Sequence, residues 1–418
     1  MRYMLTSLLI AAAPGAAQTT GPAAATNALG LDLYRLEAAK GQGNLLLSPY
    51  SIQAALCMAL GGADGGTKAE MAKVLHLTKP DAAPGEQAEL RAALEKAAAD
   101  SGQMAELAKK HGRKFQPLQL RVANRLFGRE GYPFHPDFLQ RMQTDWQAPL
   151  EMAAFAKSPE RARVRINRWV EQQTQERIEE LIPANGVNKD TRLVLVNAIY
   201  FKAAWAAEFR EAMTQPLPFH AGGTTEVNAP TMYQQHNFGY LKEAGYAAVT
   251  VPYTGYALQL LILLPEARDG LAALEKKLTA EQLAKLSKAS MAKEVQLYLP
   301  KFKLTPPTLP LGDDLKLLGM KSAFDEPAGS ADFSRMAPRT PEEYLRISQV
   351  FHKTFLALDE KGTEAAAATA AEATVGASAT EPEKPKPVKV RVDHPFLFAI
   401  QHRDSGLCLF LGRVTDPR

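Results

Sequence analysis

Cysteine is almost missing from this chain. Only Cys57 and Cys408 occur in 418 residues, so a disulfide framework is excluded as the source of stability. Both lie in apolar stretches, which favours two buried free thiols over one bridge between them. The signatures of catalysis are missing as well. Gly376, Ser378 and Thr380 approach a nucleophile elbow, but Thr380 stands where its last glycine is required. There is no His-Glu-x-x-His, no Cys-x-x-Cys and no glycine loop ahead of Lys-Ser/Thr. The eight histidines are scattered, none with a partner at helical spacing. An enzyme is therefore not expected, nor a cofactor or metal ion. The net charge of +4 is modest for this length and gives no argument for a nucleic-acid partner.

Long apolar runs are also few. Arg2 precedes an apolar run from Met4 to Ala13, and small residues follow through Gly15, Ala16 and Ala17. Such a run is too short to span a bilayer and reads as a secretory signal over 1–17, cut after Ala17. Residues 18–25 are expected to be flexible. The remainder, with no membrane segment, is expected as a single exported, monomeric domain over 26–418, secreted or periplasmic. No low-complexity linker divides it and no fixed-period repeat is visible. The 46% hydrophobic content is ample for one large core.

Periodicity supplies the elements. Leu29, Leu33, Leu36 and Ala39 form a helical stripe over 26–41. Ser48 and Pro49 open an apolar helix running to Leu60. Residues 86–110 have a surface-helix pattern ending in the basic cluster Lys109, Lys110, His111, Arg113 and Lys114. That cluster reads as a solvated loop, with polyanion binding the less favoured alternative. Residues 192–201 are β-branched and aromatic, a buried strand, and strand patterns recur at 247–253, 257–264, 295–304 and 408–414. Helical patterns lie between them, at 271–277 and 279–287. Strand clusters separated by helices define an α+β chain.

One segment has an unusual alternation. From Thr363, one parity is Thr363, Ala365, Ala367, Thr369, Ala371 and Ala373, all small and uncharged. The other is Glu364, Ala366, Ala368, Ala370, Glu372 and Thr374, which holds both carboxylates. Alternate side chains of a strand face opposite ways, so this segment is able to enter a sheet with one face free of charge. Gly362 stands ahead of it, where a sharp turn is needed. Composition alone favours a short helix or linker, because alanine is a poor strand former. The flanking sequence reverses that preference.

The flanks resemble the serpin family. Asn44 to Ile52, with Ser48, Pro49 and Ser51, comes first, then Gly65, Gly66 and Thr67, and then Ala123, Asn124, Phe127 and Gly128. Ile166, Asn167, Trp169 and Val170, with Thr174, Ile178 and Leu181, resemble the helix crossing the main sheet. Val196 to Trp205 resembles its central strand. His352 and Lys353, then His394 to Phe398, then Leu409 to Val414 complete the order.

The resemblance implies a serpin fold of three β-sheets and about eight or nine helices, with an exposed reactive-centre loop over about 360–392. It implies a suicide-substrate inhibitor of serine proteases, whose cleaved loop inserts into the central sheet. The hinge maps to Glu360, Gly362, Thr363, Glu364, Ala365, Ala366, Ala367 and Ala368, and free of bulk it fits an inhibitor better than a non-inhibitory binding or carrier serpin. The sheet-opening region maps to Ser51, Asn197 and His352, with Trp205 where insertion begins. Counting from Glu360 places the reactive bond at Gly376–Ala377, with Val375–Gly376 and Ala377–Ser378 as one-residue slips. All are small, and no basic residue lies between Gly362 and Thr380, so the expected target is elastase-like or subtilisin-like. Pro382, Pro385 and Pro387 end any inserting strand, and the charged piece around 381–386 is longer than the family pattern.

Overall fold

The computed structural model describes residues 21–112, 116–363 and 386–418. These hold nine α-helices, α1 to α9, and seventeen strands, β1 to β17, in chain order. No helix among them is long and apolar enough to cross a membrane.

The central sheet is built on β4 (Leu193–Ala204), buried at every position but one. Antiparallel to it runs β2 (Gln119–Arg129), which carries the short β3 (Glu151–Ala153). On its other edge β12 (Gln349–Thr354) pairs in parallel, with β11 (Leu309–Pro310) outside it. Burial on both faces explains the near-continuous apolar run of β4. Val194, Val196 and Ala198 pack with Ile166 and Val170 of α6 (Pro159–Gln173), the helix crossing this sheet. The alternate residues Leu193 and Leu195 face Ile52 and Leu56 of α2 (Pro49–Leu60). The period of two thus sorts one strand between two cores.

α2 explains its own burial. Ser48 caps it by accepting the Ser51 N–H, Pro49 opens it, and every residue except Ala54 is buried. The first helix, α1 (Pro22–Ala39), starts earlier than expected, so 22–25 are helix rather than flexible segment. Pro22 sits at the first helical position, and Ala23 and Ala25 are buried. Residues 1–20, including the expected signal and its cut, lie outside the described residues.

Among the described residues the strands join into two hydrogen-bonded sets, one of nine strands and one of eight. The cause is β6 (Thr225–Glu243), nineteen residues long, which pairs with β5 (Gln215–Ala221), β7 (Tyr246–Pro252) and β9 (Met291–Pro300) along its length. One strand of that length merges what shorter strands would leave apart. The nine-stranded sheet also contains β8 (Leu258–Pro265), β15 (Val388–Arg391), β16 (Phe396–His402) and β17 (Cys408–Val414). Cys57 and Cys408 are both buried and free.

Candidate functional site: a strand slot in the central sheet

The β4–β12 ladder runs from Val194 opposite Gln349 to Ile199 opposite Thr354. Beyond it the chain continues as β13 (Leu356–Asp359), which pairs with β10 (Phe302–Leu304) instead of β4. Between β13 and β4 lies β14 (Gly362–Thr363), antiparallel to both: Thr363 is opposite Leu358 and Ala203, Gly362 opposite Asp359 and Ala204. The sheet is therefore closed below, parts above, and is refilled at the top by Gly362 and Thr363.

The turn into β14 is tightly bound. Gly362 has φ 147°, and a Cβ there would meet the Ala203 carbonyl oxygen at 2.1 Å, so only glycine fits. Trp205 donates from its indole N–H to the Asp359 carbonyl at 2.9 Å and from its backbone N–H to the Lys361 carbonyl at 3.0 Å. Its ring stacks on Tyr253 at 4.6 Å. Tyr253 and Thr363 hydroxyls are 2.7 Å apart, with both residues buried. Burial raises the Tyr253 phenol well above its ordinary range, so that hydroxyl keeps its proton. Glu360 is held by Lys301 Nζ and by the Thr214 hydroxyl, each at 2.8 Å. Burial works to raise its carboxyl, but these bonds outweigh it and hold the group below the usual range.

Lower down, a buried polar network crosses the closed ladder. Asn197 donates to Ser51 Oγ and to Asn124 Oδ1, each at 2.6 Å, and Ser51 donates to Asn124 Oδ1 at 2.9 Å. His352 Nδ1 contacts Asn197 Oδ1, and His352 Nε2 accepts the Ser48 N–H at 3.0 Å. That pattern requires a neutral imidazole protonated on Nδ1. Complete burial pushes its pKa down to about 3, against the opposing pull of the Asn197 bond. The β4–β12 ladder is thus tied by the buried His352–Asn197 contact, whose other partners are themselves satisfied.

The structure brings Ser51, Asn197 and His352 together and sets Trp205 against the hinge turn. Glu360, Gly362 and Thr363 stand at the slot. Glu364 to Ala368 and the bond candidates Val375, Gly376, Ala377 and Ser378 lie outside the described residues, as do Arg113 and Lys114 of the basic cluster. Lys109 and Lys110 lie in the last turn of α4 (Ala83–Lys110), where cations suit the helix dipole. Sequence reasoning missed the parts played by Asn124, Ser48 and Tyr253. An asparagine amid the apolar positions of β2 was the available signal for the first. Among the described residues no group of three His, Cys, Asp or Glu side chains is placed to hold a metal ion.

Fold and site together define a class: one α+β domain whose central sheet has a strand slot already started by its own C-terminal hinge. Residues 24–417 match the model of the serpin (serine protease inhibitor) family, and the chain belongs to that family. It is 36% identical over 403 residues to leukocyte elastase inhibitor of Sus scrofa, covering 94% of this chain and 99% of the relative. Among solved structures it is similar to Serpin48, a highly specific serpin of the insect Tenebrio molitor, with TM-score 0.77 and 28% identity over 97% of this chain and 100% of the other. It is also similar to uncleaved ovalbumin, with TM-score 0.77 and 25% identity over 95% and 100%.

Proposed function

We propose that this chain inhibits elastase-like serine endopeptidases as a suicide substrate, with subtilisin-like enzymes as further targets. The observation that carries the reading is the register of β14. Each residue forward along the hinge steps one residue back along β4, because the pairing is antiparallel. A strand continuing in that register sets Glu364 opposite Lys202, Ala365 opposite Phe201, Ala367 opposite Ile199 and Thr369 opposite Asn197. Directly opposite residues share a face, so the uncharged parity of the hinge joins the side of Phe201 and Ile199, which is core. No proline interrupts the run.

In this mechanism the protease serine attacks the Gly376 carbonyl carbon, the bond to Ala377 breaks, and the new amine of Ala377 takes up a proton. Gly376 stays esterified to the enzyme. The freed hinge then zips between β4 and β12, breaking the His352–Asn197 contact as Thr369 arrives there. About 15 inserted residues carry the enzyme ~50 Å along the sheet, at ~3.3 Å each. Displacement distorts the protease before water releases the ester. The names of the leukocyte elastase inhibitor relatives support the target class, and the small residues around Gly376 support it independently. The apolar start of the chain supports export, so we place the mature monomer outside the cytoplasm, secreted or periplasmic.

The test mixes the mature protein with pancreatic elastase and, separately, with subtilisin. Expected is a complex that survives denaturing electrophoresis, and a released peptide beginning at Ala377 or one residue to either side. Complete cleavage with no complex for either enzyme rejects inhibition and favours a binding or carrier serpin.

A further inference from the structure

The turn between β13 and β14 is a two-residue hairpin, with Glu360 and Lys361 at its corners and Asp359 paired with Gly362 across its neck. Hairpins this short favour turns with positive φ at the corners, which match the strand twist, whereas ordinary turns splay the strands. Here both corner residues keep negative φ, and only Gly362 after them is positive. Something other than twist therefore holds the neck closed. The three carbonyls of the turn are taken by one segment: Trp205 donates to those of Asp359 and Lys361, and the Phe209 N–H donates to that of Glu360 at 2.8 Å. On the donor side the turn depends on a single side chain. Asp359 Oδ1 accepts the Lys361 N–H at 2.9 Å, from the position where Asp and Asn close ordinary turns.

We propose that Asp359 is a positioning residue for insertion: its side chain closes the hairpin that seats the hinge, and its charge sets how firmly the seat holds. The closing role follows from the turn geometry. The role of charge follows from the surroundings of the carboxylate. Burial raises its pKa above the ordinary range; the Lys361 N–H pulls it down, Glu360 pushes it up, and Lys301 and the Gly362 N–H pull it down again. Burial prevails. Glu208, from the segment that holds the turn, adds a further like charge, while Glu211 is paired with Lys361 at 3.2 Å.

A carboxyl whose pKa is raised in the seated hairpin binds its proton more readily there than in a released one. Seating therefore tightens as pH falls through that range and is weaker at neutral pH, where the group is ionised. An asparagine keeps the Oδ1 acceptor without the charge. Aspartate thus closes the turn and, at neutral pH, holds it less firmly than the amide would. The part played in insertion rests on the inhibitory reading; the hold on the hairpin does not.

Hydrogen exchange on the intact protein, read at the amides of 361–363, tests the hold directly. Asp359→Ala should speed exchange there about two- to tenfold near neutral pH, the effect of one lost hydrogen bond. Asp359→Asn should protect these amides as well as wild type or better. Compared with wild type at the same pH, the advantage of Asn should shrink as pH is lowered from about 7 toward 4. With elastase, Asp359→Ala should consume about two- to fivefold more inhibitor per protease trapped, and Asp359→Asn no more than wild type. Equal exchange by wild type and Asp359→Ala, or no rescue by Asp359→Asn, overturns the hold on the hairpin. A difference between Asn and wild type that is constant across pH overturns the role of charge. Faster exchange with unchanged inhibitor consumption overturns the role in insertion. The expected order of exchange with no complex from wild type would reject the inhibitory reading and leave the hold standing.

Discussion

Tyr253 and Thr363 meet hydroxyl to hydroxyl at 2.7 Å, both buried. The first inward residue of the hinge is thus already docked in the sheet before any cleavage. Thr363→Arg must either expel the hinge or bury a cation, a cost of several kcal/mol. The expected outcome is loss of the denaturant-stable complex, with the protein cleaved as an ordinary substrate. Electrophoresis after mixing with elastase reads it; an unchanged complex would remove Thr363 from the mechanism.

A strand continuing the β14 register would set Glu364 opposite Lys202. Opposite charges directly across a ladder contribute about 0.2–1 kcal/mol, and like charges oppose pairing. Lys202→Glu should therefore slow insertion at its second step and raise the inhibitor consumed per protease trapped by about two- to fivefold. Restoring the pair with Glu364→Lys in the same chain should recover most of the loss. Failure of that rescue contradicts the register.

His352 gives the fold a pH dependence of definite sign. Its folded pKa is about 3, while an unfolded histidine titrates near 6.5. Below about 6.5 the unfolded chain binds a proton that the folded chain refuses, so stability falls with pH by about 1.4 kcal/mol per unit from this group. The loss continues toward pH 3. Unfolding midpoints in denaturant from pH 7 to 5, wild type against His352→Gln, isolate it. Wild type should decline more steeply; parallel curves would contradict the neutral, buried imidazole.

Cys57 and Cys408 are free, and burial drives both thiols well above their ordinary range. A thiol held protonated and covered is unreactive. The native protein should show no titratable thiol with a disulfide reagent, and the denatured protein two. Rapid native reaction, or none after denaturation, would contradict this.

The large features were legible because they are local patterns. The apolar run of β4 and the small-residue alternation after Gly362 are readable from periodicity alone. Ser51, Asn197 and His352 were reached through resemblance, since residues so far apart in sequence declare no contact. Asn124 and Tyr253 were not reached, because a polar side chain in a strand does not say which face it presents or what meets it there. The union of strands through β6 was equally hidden: no strand was read over Thr225–Glu243, and its part shows only in its pairing along the whole length. Pro22 shows the reverse case, a helix start that nearby alanines would have disclosed had 18–25 not been read as flexible.

The central claim is that the slot beside β4 is built to accept the rest of the hinge. Thermal unfolding of the intact protein against protein nicked between 364 and 385 by a metalloprotease, which forms no acyl-enzyme, tests it most directly. Insertion adds a strand to the central sheet, so the nicked form should melt at a clearly higher temperature than the intact form. An equal or lower melting temperature would mean that the hinge stops at Thr363 and the sheet takes in no further strand.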